Sequence, residues 1–203
     1  MKLKICGLTR LDDVEIVNAV LPDYVGFVFA KSRRQVDETM ADLMKRRLHP
    51  NVQAVGVFVN EEMERIVRLC NRGTIDVIQL HGDEDRDYMD TLKNQVPNEV
   101  IKAVRVQTTQ QIAEAEKLPC DYLLLDTDTK GQYGGSGVAF DWSLIPVLEK
   151  PYFLAGGLNF DNVQCAVSKC RPYCLDVSSG VETNGVKDLE KIQKIVQFVR
   201  SVK

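Results

Sequence analysis

Two residues stand where proton transfer could occur. Cys6 ends a short alternating run, Lys2 to Cys6, that stops at Gly7. Asp126 ends an otherwise apolar run, Tyr122-Leu123-Leu124-Leu125. With a period of two, Lys4 shares a face with Cys6, and Leu3 and Ile5 take the other. A thiolate can serve as a base, and a nearby cation such as Lys4 favours it. A carboxyl group at the end of an apolar strand is desolvated, which favours the protonated form that a general acid needs. Plainer readings also stand on these residues alone. A cysteine can be a small buried hydrophobe, and an aspartate can cap a helix.

Glycine crowds three later stretches: Gly131 to Gly137, Gly156-Gly157, and Ser178-Ser179-Gly180. Backbone N–H groups approach an anion closely only where no Cβ intrudes. Gly135, Ser136, Gly137, Gly156, Gly157, Ser178, Ser179 and Gly180 are therefore the candidate phosphate cradle, with tight turns as the alternative use of the same glycines. Arg34, in the basic stretch Lys31 to Arg34, could pair bidentately with a ligand carboxylate or could be a solvated charge. Lys31 and Arg33 read as surface charges. Asp176 and His81 stand near the ends of two further apolar runs. They are supporting candidates: Asp176 to orient a loop, His81 as a proton carrier or a structural histidine.

These side chains need a frame that brings them together. Apolar strands alternate with helical segments eight times. The strands are Lys2 to Cys6, Tyr24 to Phe29, Gln53 to Val59, Asp76 to Leu80, Val100 to Val106, Asp121 to Asp126, Tyr152 to Ala155 and Tyr173 to Val177. Helices are predicted over about 11–20, 37–47, 61–70, 86–93 and 108–117, then from Asp141, from Asn159, and over 189–202. Asn60 is the expected cap of the third. Alternation of this kind predicts a parallel sheet with right-handed crossovers. Eight units predict an α/β fold, a single (βα)8 TIM barrel over residues 1–203. Such a barrel gathers the C-terminal strand tips at one mouth and often binds phosphate after strands seven and eight. An open doubly wound sheet is the alternative, but GxGxxG is missing after the first strand. In the barrel, Cys6 and Asp126 face each other roughly across the mouth. That arrangement describes proton transfer on a sugar phosphate.

Composition narrows the classes further. A net charge of -3 in 203 residues gives no electrostatic case for nucleic acid. No apolar run approaches the ~20 residues of a membrane span. The first residues read as strand rather than leader, so the expected address is cytoplasmic. The six cysteines include no CxxC pair and the two histidines are remote, so neither zinc nor a disulfide framework is expected.

Taken in order, Lys4-Ile5-Cys6-Gly7, Gly26-Phe27-Val28-Phe29, Ser32-Arg33-Arg34, Val55 to Asn60, Gln79-Leu80-His81-Gly82, Leu124 to Thr127, Tyr133 to Gly137, Phe140-Asp141-Trp142, Ala155 to Asn159 and Asp176 to Glu182 resemble the phosphoribosylanthranilate isomerases of tryptophan biosynthesis. The resemblance covers almost the whole chain. It implies an Amadori rearrangement of a phosphorylated aminosugar, with no metal and no cofactor. It also implies Asp126 as general acid, Cys6 as general base, and Arg34 as the receptor of the anthranilate carboxylate. Phe27 and Phe29 are candidates to hold the anthranilate ring. The link Ala30-Lys31 between Phe29 and Ser32 is shorter than in many members. A histidine-pathway aminoaldose isomerase and a non-catalytic phospholigand-binding barrel are the alternatives. Either a monomer or a homodimer is compatible with the chain.

Overall fold

A computed structural model describes residues 1–127 and 140–202. Eight parallel strands close into a barrel: β1 (Lys2–Cys6), β2 (Tyr24–Val28), β3 (Gln53–Phe58), β4 (Val77–Leu80), β5 (Glu99–Val106), β6 (Tyr122–Thr127), β7 (Tyr152–Leu154) and β8 (Cys174–Val177). β8 pairs with β1, with Lys4 opposite Asp176. The helices are α1 (Leu11–Val20), α2 (Glu38–Arg47), α3 (Met63–Asn71), α4 (Arg86–Lys93), α5 (Thr109–Ala115), α6 (Val163–Cys170) and α7 (Leu189–Ser201). A two-residue hairpin, β9 (Glu182–Thr183) and β10 (Val186–Lys187), follows β8. Among the described residues, no helix is long and apolar enough to cross a membrane.

Alternation along each strand splits the core in two. Leu3, Ile5, Val25, Phe27, Ile78 and Leu80 join the apolar layer shared with the helices. Burying each such side chain contributes roughly 1.5–3 kcal/mol. Tyr24, Val55, Val77, Ile101, Leu124, Phe153 and Cys174 form the second layer, inside the barrel. Tyr122 and Tyr173 stack beside it with ring centroids 5.3 Å apart. This filling closes the barrel below the mouth, so a ligand can enter only from the C-terminal ends of the strands.

A repeated aspartate sets the strands in register. Asp23, Asp76 and Asp121 each stand one residue before an even-numbered strand. Each accepts the backbone N–H of the preceding odd strand: Leu3 at 2.9 Å, Ala54 at 2.7 Å and Val100 at 2.8 Å. Each also takes a lysine: Lys2, Lys45 and Lys93 respectively. Asp76 and Asp121 thus flank their strands rather than lie within them.

Three expected helix starts are corrected. No α-helix begins at Asp141; a single 3-10 turn, Trp142–Leu144, stands there, with Asp141 capping Ser143 N–H at 3.0 Å. Pro146 and Pro151 disfavour the α region at Ile145 and Lys150, the residues before them, and themselves have no N–H to donate. Asn159 caps a turn ahead of α6, accepting from Asp161 and Asn162 N–H, and the helix itself starts at Val163. Asn60 does not cap α3, whose N-cap is Glu62. Its φ of 49° is left-handed, and its Oδ1 accepts Asp83 N–H at 2.7 Å, which ties the β3 and β4 loops together.

Candidate active site

The mouth opens into a cavity of about 910 Å³, the size of a small-molecule site. Cys6, Arg34, His81, Asp126, Gly156, Gly157, Asp176, Ser178 and Ser179 line it, so residues from six strand ends meet around one cavity. Gly135, Ser136 and Gly137 lie outside the described residues. Among the described residues, no three His, Cys, Asp or Glu side chains group as metal ligands.

Cys6 owes its place to a missing side chain. Gly26 is its partner in the β1–β2 register, and a Cβ on Gly26 would stand 2.6 Å from Sγ. Below Cys6, Lys4 is fully buried. Its Nζ donates to Asp176 Oδ2 at 2.8 Å and to Gln79 Oε1 at 3.0 Å. Burial works against the Lys4 charge, but Asp176 and Cys6 together outweigh it and raise the lysine's pKa. Asp176 therefore serves the barrel interior, not a loop, and its Oδ1 is buried with no hydrogen-bond partner among the described residues.

Lys4 lowers the Cys6 pKa, as expected of a cation on the same face, yet the thiol as a whole lies above its ordinary value. Burial pushes the thiol up and the Asp176 carboxylate adds to this. Lys4 and a second cation, Lys187, pull it down but do not win.

Asp126 is buried at the end of β6, where Oδ1 accepts Thr127 N–H at 2.7 Å. The glycine at 156 belongs to this corner. With φ at +86°, it sits where a Cβ would come within 2.3 Å of Thr127 Oγ1 and 3.1 Å of Asp126 Oδ1. His81 Nε2 lies 3.4 Å from Asp126 Oδ2, and His81 Nδ1 meets Gln79 Nε2 at 2.9 Å. His81 is thus a neighbour of Asp126 rather than an isolated structural residue. A polar chain, Asp176–Lys4–Gln79–His81–Asp126, crosses the barrel at the cavity's lining, with Lys4 alone set behind it.

Arg34 reaches the cavity but is already held. Its Nε and Nη2 donate to Glu182 Oε1 and Oε2 at 2.7 and 2.9 Å. Lys187 Nζ donates to the same Glu182 at 2.7 Å and to Ser178 O at 3.2 Å. Burial would raise the Glu182 pKa, but Arg34 and Lys187 hold it below the ordinary value. Glu182 occupies the Nε–Nη2 edge, which leaves the other edge of the guanidinium for any further bidentate partner.

In the loop that leads from β8 to Glu182, Ser178 Oγ donates to Cys6 O at 3.0 Å, and Ser179–Val181 forms one 3-10 turn. Gly180 is packed behind the wall, where a Cβ would stand 2.0 Å from Leu158 O. Its glycine therefore answers to packing. Of the two aromatic candidates, Phe29 lines the cavity and Phe27 does not. Phe27 is fully buried in the outer layer, and Phe29 is stacked on Phe58 with Arg65 over its ring. Val28, Val57 and Leu158 supply apolar wall beside Phe29.

Gln79, Glu182, Lys187 and Gly26 were not singled out from the residues. Gln79 did carry a signal, a polar side chain on the inward register of an apolar strand. Lys187 carried none, because its hairpin has no sequence period.

A family model described as N-(5'phosphoribosyl)anthranilate (PRA) isomerase matches residues 3–198. A relative from Lachnoclostridium phytofermentans, named N-(5'-phosphoribosyl)anthranilate isomerase, is 50% identical over 209 residues, covering 97% of this chain and 96% of its own. The crystal structure of phosphoribosyl anthranilate isomerase from Thermus thermophilus superposes with a TM-score of 0.87 at 32% identity, covering 100% of both chains. Another, the isomerase in complex with reduced 1-(o-carboxyphenylamino)-1-deoxyribulose 5-phosphate, gives 0.82 at 34% identity, again covering 100% of both chains.

Proposed function

The chain belongs to the N-(5'-phosphoribosyl)anthranilate isomerase family, and from that membership we propose how its cavity carries out the isomerisation. The enzyme is an isomerase of tryptophan biosynthesis. The substrate is N-(5'-phosphoribosyl)anthranilate, and the product is the aminoketose whose reduced form the relative binds.

Asp126, protonated, gives its proton to the ring oxygen of the ribose. The C1–O bond breaks as the anilino nitrogen supplies its electron pair, leaving a Schiff base at C1. Cys6, as thiolate, removes the proton from C2, and the electron pair moves into a C1–C2 double bond. The resulting enolamine becomes the ketose when C1 gains a proton and the C2 hydroxyl loses one. With Cys6 as that donor and Asp126 as that acceptor, both groups return to their starting forms. The sequence needs no oxidant or reductant.

The remaining wall sorts the rest of the substrate. Gly156, Gly157, Ser178 and Ser179 offer backbone and hydroxyl donors for the phosphate. The remaining edge of Arg34 meets the anthranilate carboxylate. Val28 and Val57 give the ring an apolar surface.

One observation carries this reading: Cys6 and Asp126, on β1 and β6, line the same cavity. The test follows loss of anthranilate-substrate fluorescence with Cys6→Ser and Asp126→Asn, after circular dichroism has shown both to be folded. Each loses on the order of 100- to 10,000-fold in turnover. Near-normal turnover in either variant removes that residue from its role.

A further inference from the structure

We propose that Gln79 is a positioning residue that fixes His81 in the tautomer carrying its proton on Nε2, so that a donor and not a lone pair faces Asp126. The inference deepens the reading of Asp126 as the acid and rests on it for its catalytic consequence.

A lysine ammonium has three donors and no acceptor. Lys4 is held as an ammonium by Asp176, 2.8 Å away, in the barrel interior. The Gln79 atom 3.0 Å from Lys4 Nζ must then be the carbonyl oxygen. The amide orientation follows, and the NH₂ group points at His81 Nδ1, 2.9 Å away. An NH₂ group can only donate, so Nδ1 must accept. The ring proton is left on Nε2.

Nε2 is buried and makes no hydrogen bond of good geometry among the described residues. It faces Asp126 Oδ2 at 3.4 Å, longer than a well-formed bond. In the assigned tautomer, Nε2–H supports the carboxylate that remains after Asp126 has given up its proton. In the other tautomer, the Nε2 lone pair would accept the acid proton of Asp126 and withhold it from the substrate. One amide, fixed by a lysine on the far side of the barrel, thereby decides which way the acid's proton goes.

Gln79→Glu is the test variant. An ionised carboxylate still accepts from Lys4 but cannot donate, so it demands a proton on His81 Nδ1. Long-range proton–nitrogen correlation on protein labelled with ¹⁵N-histidine reads the tautomer directly. The chain has only two histidines, so His49 serves as the internal reference. The expected result is an Nε2–H tautomer in the wild type and a protonated Nδ1 in Gln79→Glu. Turnover number falls by about tenfold or more with KM little changed, as for an interaction made in the transition state alone. In a His81→Gln background, adding Gln79→Glu costs nothing further, because the residue acts through the imidazole.

A wild-type His81 protonated on Nδ1 overturns the proposal. So does a Gln79→Glu protein with unchanged turnover, or equal losses in the presence and absence of His81. Failure of the underlying reading shows elsewhere, as full turnover in Asp126→Asn, and leaves the tautomer measurement intact.

Discussion

Gly26 lies opposite Cys6 in the β1–β2 register, and a methyl group at Gly26 would stand 2.6 Å from the Cys6 sulfur and 3.1 Å from its Cα. The strand pairing leaves no room for a backbone retreat. The glycine is what lets a thiol occupy the inward face at the cavity. Gly26→Ala therefore rotates or displaces Sγ. Overpacking costs about 1–3 kcal/mol, which leaves the protein folded, while turnover falls further than stability does. Melting and turnover measured together check this; a full-speed Gly26→Ala enzyme would mean that the sulfur position is not critical.

Lys4 and Asp176 form a pair buried in the barrel, with side chains 0% and 7% exposed. Breaking such a pair on one side strands a charge and costs about 3–5 kcal/mol. Lys4→Met is expected to lose that amount in urea unfolding. Lys4→Met with Asp176→Leu should recover most of it, since an apolar replacement of both partners removes the stranded charge. Neither variant turns over normally, because both cut the chain that leads to His81. A double variant no more stable than the single one would show that the pair is not the source of the cost.

Glu182 holds Arg34 and Lys187 together, and its pKa lies below the ordinary 4.5. A depressed carboxylate adds stability that is present above its unfolded pKa and is lost as pH falls through the folded one. Glu182→Gln should therefore flatten the fall in stability below about pH 4.5, the unfolded value for Glu. It also frees the Nε–Nη2 edge of Arg34, so the guanidinium loses its orientation and KM rises more than turnover falls. Acid titrations of unfolding for both proteins, with steady-state kinetics, test the two effects separately. An unchanged acid slope and an unchanged KM would remove Glu182 from the account.

The Cys6 thiol lies above its ordinary 9.0 because burial and Asp176 outweigh Lys4 and Lys187. A base works only when deprotonated, so kcat/KM for the free enzyme should keep rising with pH beyond neutrality. Lys187→Met removes one of the two lowering cations and moves that limb to still higher pH. Direct titration of thiolate absorbance alongside the pH–rate profile decides it. A limb that stays in place when Lys187 is removed would detach this cation from the thiol.

Much of this arrangement was legible in the chain. Alternation in Lys2 to Cys6 placed Lys4 and Cys6 on one face, and both point inward, Lys4 onto Asp176 and Gln79 and Cys6 into the cavity. The eight strands announced themselves because a parallel barrel buries each one on both sides. What escaped detection was set by contacts between distant segments. Pro146 and Pro151 were visible, yet their power to suppress a whole helix depends on the loop they stiffen. Asn60 looked like a cap, but Asp83 N–H, from another loop, claims its side chain. The sign of the Cys6 shift depended on burial and on Asp176, neither of which a strand pattern reveals. Lys187 enters the site from a two-residue hairpin with no periodicity to betray it.

The division of labour between Cys6 and Asp126 is tested most directly by the kinetic isotope effect on substrate deuterated at C2, compared in wild type, Cys6→Ser and Asp126→Asn. If the sulfur takes the C2 hydrogen and the carboxyl opens the ring, Cys6→Ser makes C–H cleavage limiting and its isotope effect grows. Asp126→Asn makes ring opening limiting, and its effect shrinks towards one. An isotope effect that grows in Asp126→Asn, or stays at the wild-type value in Cys6→Ser, contradicts the assignment.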